Sequence, residues 1–347
     1  MKINALPLSY PRSTLSSHLL TRVPDFIALM KPRVMLLAVF TAFVGLAVAP
    51  IHPDPLLALT AILAIAAGAG AAGALNMWFD ADIDAMMART VRRPIPRGRV
   101  SRTEALAFGL VLACGAVAVL AIALNAEAGA LLAFTIFFYA IVYTVWLKRR
   151  TPQNIVIGGA AGALPPVIGW AASTGSIGLE PSILFLIIFL WTPPHFWALS
   201  LNRTEEYARV GVPILPVVAG KGATTRHILV YSALLLPASL LPWVFRFAGT
   251  TYGAIAYVGG ATFVVLALRL RSRWQDGPRA AHRLFAFSIV YLFAIFAALL
   301  FDNPDSRWLF AFSAHASPTV VGYDPAEFLS RPPKPACMTH GVSAKER

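Results

Sequence analysis

The sequence predicts an all-α polytopic membrane protein, with about nine transmembrane helices in one bundle around a central cavity. Three observations carry this. Hydrophobic residues make up 58% of the 347 and charged residues only 13%, with a mean hydropathy of +0.68; soluble chains carry about 25% charged residues. Apolar runs of about 18–25 residues recur, each long enough to cross a bilayer. The loops between those runs alternate between rich in Lys and Arg and free of both, the pattern of the positive-inside rule.

Residues 1–23 are polar and mixed, with Lys2, Arg12 and Arg22, and lack the order of a signal peptide. They are expected to form a loose cytoplasmic arm. Spans are expected near 26–50, 55–78, 103–124, 128–147, 154–173, 180–201, 226–246, 250–270 and 284–302. The fifth, Asn154 to Ser173, is rich in Gly and Ala, which lets helices approach closely and marks it as central to the bundle. Basic loops are Arg89–Arg102, Lys148-Arg149-Arg150, Arg203–Arg226 and Arg269–Arg283. With the N-terminus they belong in the cytoplasm, so a transmembrane domain of residues 24–302 leaves residues 303–347 outside. That tail holds Pro332-Pro333-Lys334-Pro335 and little periodicity, and is expected to be disordered.

The net charge of +13 would suggest nucleic acid in a soluble protein. Here it serves anionic lipid and anionic substrates, with no nucleic-acid partner. Cys114 lies in an apolar run and Cys337 in the tail, so a disulfide framework is not expected. No Cys/His cluster has zinc-ligand spacing.

The chemistry concentrates where the second span ends, in Asn76-Met77-Trp78-Phe79-Asp80-Ala81-Asp82-Ile83-Asp84. Continued as a helix, Asn76, Asp80 and Asp84 fall at i, i+4 and i+8 and spread over only ~80° of its surface. Asp82 points away, roughly 240° round from Asn76. Two carboxylates and an amide stacked on one face form an oxygen ladder suited to Mg²⁺, which usually comes with a phosphate. A solvated helix end is the plain alternative. Against it, acids are unfavourable near a helix C-terminus, and three of them at membrane depth, at about 2.5–3.5 kcal/mol each, require an interface or a wet cavity.

Six arginines follow between residues 89 and 102. They serve as a topology signal, but Arg93-Pro94-Ile95-Pro96 also reads as a fixed turn, which suits a binding loop. Guanidinium forks at Arg89 and Arg93 match a diphosphate. Lys148 and Lys221 are further candidates, each also explained by topology. A lipid diphosphate is the substrate class this arrangement suggests.

A weak internal repeat echoes the acidic motif. Asn202-x3-Glu206 follows a later span as Asn76-x3-Asp80 follows the second, and each precedes an arginine and a Pro-containing turn. A parallel repeat would set two acidic sites across one cavity, although Glu205-Glu206 alone reads equally as a solvated helix face. His195 stands in Trp191-Thr192-Pro193-Pro194-His195-Phe196-Trp197. Lone histidines are more often structural, but at this depth a titratable group tends to be functional. Positioning a substrate and moving a proton are both open to it. Asn154 is a candidate for lining the cavity.

The stretch from Asn76 through Met87-x-Arg89-Thr90-x2-Arg93-Pro94-Ile95-Pro96-x-Gly98-Arg99 is similar to the UbiA-like intramembrane prenyltransferase superfamily. More narrowly, the chain resembles the protohaem IX farnesyltransferases, or haem O synthases. The matching pieces include Lys31-Pro32-Arg33, Tyr143-Thr144, Leu147-Lys148-Arg149, Asn154 to Gly159, Gly169-Trp170, the Pro-Pro-His-Phe-Trp run and Gly211 to Pro216. They extend from about residue 28 to 220. One departure is Glu206, where that family usually has Asp.

The resemblance implies transfer of farnesyl from farnesyl diphosphate to a vinyl group of haem B, giving haem O. Mg²⁺ would be the one cofactor, held by Asn76, Asp80, Asp84 and Glu206. Arg89, Arg93, Lys148 and Lys221 would bind the diphosphate; Asp80, Asp84 and His195 would be the catalytic set. It further implies the bilayer, haem A synthase and the terminal oxidase as partners. The short N-terminal arm favours a bacterial inner membrane over a mitochondrial one. A prenyltransferase for a quinone-precursor ring or a chlorin would look similar at the acids, and a transporter is the rival from another class.

Overall fold

The computed structural model describes residues 15–272 and 277–303. The described chain is built from helices. By length and composition eight of them can cross a membrane, and a bent pair at the start makes a ninth span. The chain is a multi-pass membrane protein. The tail from residue 304 onward, expected to be disordered, lies outside the described residues.

The first span differs from the expected one. It begins earlier, as α1 (Leu15–Leu29), and bends by 54° into α2 (Pro32–Ala47). Residues 15–23 of the expected loose arm are therefore helical. The bend has a local cause. Pro32 disfavours helical geometry in the residue before it, and Lys31 takes the left-handed region at φ 57°, ψ 55°.

The next span, α3 (Pro55–Phe79), opens with Asp54 accepting from the Leu56 amide at 2.9 Å. A six-residue helix, α4 (Ala81–Met86), continues it. A capping box of Ser101 and Glu104 starts α5 (Arg102–Ala123). Asn125 caps α6 (Ala126–Phe137), which runs on as a π-helix over Phe138–Leu147.

The fifth span is two helices, α7 (Asn154–Ala163) and α8 (Pro165–Thr174), joined at Pro165. It is the central element the small residues foretold: 78% of its apolar window is buried, against 28–50% in the other spans. Two glycines let α2 and α8 meet backbone to backbone. A Cβ at Gly45 would stand 2.1 Å from the Pro166 carbonyl oxygen, and one at Gly169 2.0 Å from that of Ala42.

The second half repeats the plan of the first. Long α9 (Leu179–Leu201) is followed by six-residue α10 (Thr204–Arg209), as α3 is by α4. Then come α11 (Leu215–Val218), α12 (Gly220–Val244), α13 (Thr250–Ser272) and α14 (Gly277–Asp302). Helix α3 packs on α5, and α9 on α12, α7 and α14. One apolar core gathers around α9, α12, α13 and α14, and another around α2, α3, α5, α6 and α8; Phe185 packs against both. Large side chains such as Val111 and Ile122 face outward on α5, as a lipid surround requires.

Candidate active site

The α3–α4 junction keeps helical register through its break. The Asp80 amide donates to the Asn76 carbonyl at 3.0 Å and the Asp84 amide to that of Asp80 at 2.8 Å. The face predicted from spacing therefore exists. Asn76, Asp80 and Asp84 are buried, whereas Asp82 is exposed on the far side. Burial of two carboxylates rules out a merely solvated helix end. Ionised groups are kept out of water only where partners hold them.

Those partners come from four places in the chain. Lys148 pairs with Asp80, and Arg93 donates to Asp84 at 2.6 Å. The Asn76 amide donates to Asp80 at 2.8 Å and to the Thr144 hydroxyl at 3.0 Å, while Lys31 donates to its carbonyl. The left-handed turn at Lys31 thus aims an ammonium at the acidic face. Thr144 and Lys148 ride on the π-helix; Thr144 bonds back to the Tyr139 carbonyl, five residues earlier. π-helical turns recur at functional sites because they re-aim side chains that an α-helix would turn away.

Arg149 flanks this centre. It forks onto Asp82 at 2.8 and 2.7 Å, lies 4.8 Å over the Phe79 ring, and stands 3.8 Å from Asp80 Oδ1. The fork, with backbone donors, holds the Asp82 carboxyl down at about 2. Sequence reasoning left Lys31, Thr144 and Arg149 without roles. Their motifs were visible, but only tertiary contact assigns them.

The second acidic motif meets the first. Tyr207 of α10 is buried in one apolar cluster with Ile83 of α4, Met87, Val212 and Ile214. Arg89 is exposed and within electrostatic reach of Tyr207, Arg93, Arg203 and Asp84, between the two motifs. Glu206 is half-buried and Glu205 exposed. The repeat fails for its asparagine: Asn202 is exposed and donates to the Pro278 carbonyl at 3.0 Å, tying the end of α9 to α14. Lys221 is exposed on the first turn of α12. Asn154 is buried and donates to the Lys148 and Thr151 carbonyls at 3.3 and 2.7 Å, bracing the turn that carries Lys148. His195 sits apart, against α14, with Nδ1 2.7 Å from Ser288 Oγ.

The donor set fits a hard divalent cation. Asp80 Oδ1 and Glu206 Oε2, one from each motif, are buried oxygens with no hydrogen-bond partner among the described residues. No three Asp, Glu, His or Cys groups there gather into a closed metal cage. Mg²⁺ does not need one, since it takes one or two carboxylates and fills its remaining positions with water and substrate phosphate.

Comparison with known proteins matches this architecture. A model of the UbiA prenyltransferase family covers residues 38–289. The protoheme IX farnesyltransferase of Afipia carboxidovorans is 60% identical over 280 residues, 80% of this chain and 89% of that protein. The protoheme IX farnesyltransferase of Azorhizobium caulinodans is 61% identical over 279 residues, 80% of this chain and 91% of that one. Among solved structures, a digeranylgeranylglyceryl phosphate synthase shares the fold at TM-score 0.68 and 19% identity, over 81% of this chain and 98% of its own. A UbiA homologue from Archaeoglobus fulgidus, bound to GPP and Mg²⁺, does so at TM-score 0.61 and 17% identity, over 79% and 99%. With the family pattern running through both halves of the bundle, and through the acidic junction where they meet, the chain belongs to the UbiA prenyltransferase family.

Proposed function

We infer that this chain transfers the farnesyl group of farnesyl diphosphate to a vinyl group of protohaem IX, giving haem O. The observation that carries the acceptor is the pair of relatives near 60% identity, both protoheme IX farnesyltransferases, matched over 80% of this chain. The acidic junction supports the chemistry. Asn76, Asp80 and Asp84 would hold Mg²⁺, with Glu206 of the second motif a further candidate ligand, and the metal when bound would neutralise charge on the departing diphosphate.

The chain's own cations act beside it. Arg93, Lys148 and Lys31 hold the acidic face, and Arg89 stands between the two motifs. Bound diphosphate takes these donors over, with Lys221 at the start of α12 as a further one. They stabilise negative charge as the bond from farnesyl C1 to the diphosphate oxygen breaks. The vinyl terminal carbon bonds to C1, and the cation left beside the porphyrin ring takes up water and loses a proton. Diphosphate leaves, and the acceptor gains farnesyl and hydroxyl. Apolar walls must keep water from the allylic cation until that bond has formed.

The domain spans residues 24–302, with its basic loops and N-terminal arm on the cytoplasmic side of a bacterial inner membrane. Haem O then calls for an enzyme that oxidises it to haem A and a terminal oxidase that receives it. The test supplies haem B, farnesyl diphosphate and Mg²⁺ to membranes holding the chain or its Asp80→Asn variant, and follows haem by mass. Haem O is expected from the first. The variant is expected to lose turnover about 10²–10³-fold, while it still inserts and elutes as folded protein. Consumption of prenyl diphosphate with a phenolic ring but not with haem would overturn the acceptor.

A further inference from the structure

His195 is a titratable group assigned a role from the sequence, and it stands away from the acidic junction. Its surroundings fix it in three ways. Its ring stacks on Trp191 at 4.2 Å between centroids, and on Phe285 at 4.8 Å. Its Nδ1 meets Ser288 Oγ at 2.7 Å, and that hydroxyl donates its own hydrogen to the Phe285 carbonyl at 2.6 Å. With that hydrogen spent, Ser288 Oγ accepts from Nδ1–H. This sets the tautomer and leaves the lone pair on Nε2. Ser288 is itself buried and pinned, because Trp191 Nε1 donates to its carbonyl at 2.7 Å.

Nε2 has no partner among the described residues, yet it is not one of the sealed, unpartnered atoms; it reaches open space. A histidine kept only for packing has no need of a fixed tautomer and an open second nitrogen. The direction of that opening follows from α9. Phe185, Phe189, Thr192, His195 and Phe196 are all half-buried and lie within ~120° of one helix face. Phe185 packs against both halves of the bundle, and Phe196 against the Ile83–Met87–Tyr207 cluster under the acids. The arc therefore faces inward, with Thr192 against Gly159 of α7, and His195 opens from that face.

Resting on the haem-prenylating reading above, we propose that His195 Nε2 is an axial ligand to the iron of the haem substrate, with Ser288 as its positioning residue. A neutral imidazole whose other nitrogen donates to a fixed acceptor is the usual arrangement of a metal-ligating histidine. The bond would hold the macrocycle at one height beside α9 and turn a vinyl edge toward the acids. It would also give the enzyme a means of telling iron porphyrin from metal-free porphyrin.

The test titrates ferric haem B into the purified full chain in nanodiscs. Optical and EPR spectra report the ligand, and turnover is compared between haem B and metal-free protoporphyrin IX. Wild type is expected to give a histidine-ligated spectrum and to prefer haem B. His195→Ala should lose that spectrum, regain it with added imidazole, and use both porphyrins alike. Ser288→Ala should weaken haem affinity about ten- to a hundredfold, and Ser288→Thr should restore it. An unchanged spectrum and an unchanged preference in folded His195→Ala would overturn the ligand. Wild type that prenylates neither porphyrin would instead overturn the reading beneath it.

Discussion

At the scale of single residues, the acids are identified by what neutralises them. Lys31 holds a backbone conformation that residues other than glycine seldom take, φ 57°, and its ammonium reaches the Asn76 carbonyl. Strain of this kind persists where the surrounding structure over-determines it, commonly at sites of function. Lys31→Met is therefore expected to lower kcat/KM for farnesyl diphosphate by about 10²-fold, with an unchanged elution profile. Lys31→Arg should recover part of the loss, since it keeps the charge at the bend. Equal turnover in Lys31→Met and wild type would remove Lys31 from the diphosphate site. Asp82 is the contrast. Its carboxyl is held down to about 2 by Arg149, so the pair contributes fully above its ordinary 3.8 and is lost as pH falls through about 2. Asp82 is 49% exposed, and such pairs are worth about 0–1 kcal/mol. Asp82→Asn should leave Tm and turnover close to wild type at pH 7.

At the scale of elements, what could be read from the sequence depended on periodicity. Spans are long apolar runs, so they were legible, the first without its bend at Lys31, and so was the shared face of Asn76, Asp80 and Asp84, which follows from 3.6 residues per turn. Helix starts were less so: α12 begins at Gly220 where 226 was expected, because the polar turns of a helix carry no hydropathy signal. The π-helix over Phe138–Leu147 left no mark in the composition, yet it carries Thr144 and Lys148. The central place of the fifth span was legible from its small residues, though not its contact with α2 through Gly45 and Gly169. Gly169→Ala would put a Cβ 2.0 Å from a backbone oxygen that cannot move independently of α2. Overpacking of this kind costs about 1–3 kcal/mol, read as a lowered Tm in detergent. Gly115→Ala in α5 meets nothing within 4 Å and should raise stability by roughly 0.5–1 kcal/mol. Equal shifts in the two variants would mean that the α2–α8 contact is not tight.

At the scale of the whole molecule, the arrangement of charge sets the order in which ligands can bind. Asp80 and Asp84 are already matched by Lys148 and Arg93, and Lys31 adds a third cation beside them. A divalent cation arriving alone must displace these pairs, then face the cations it has released. A diphosphate arriving alone meets donors still engaged by the acids. Arriving together, the two exchange partners: the carboxylates turn to the metal and the ammonium and guanidinium groups to the phosphates. The two ligands should therefore bind with positive coupling, and by linkage each must raise the other's affinity by the same factor. Mn²⁺ can stand in for Mg²⁺ and be followed by EPR. Its affinity for the purified chain is expected to rise at least about tenfold, or ~1.4 kcal/mol, in the presence of farnesyl thiodiphosphate. Lys148→Met frees Asp80 beforehand, so the variant should bind Mn²⁺ alone more tightly than wild type and show weaker coupling. Identical Mn²⁺ affinity with and without the analogue would mean that the pairs seen at the acidic face persist when substrate binds, and that the metal is held elsewhere.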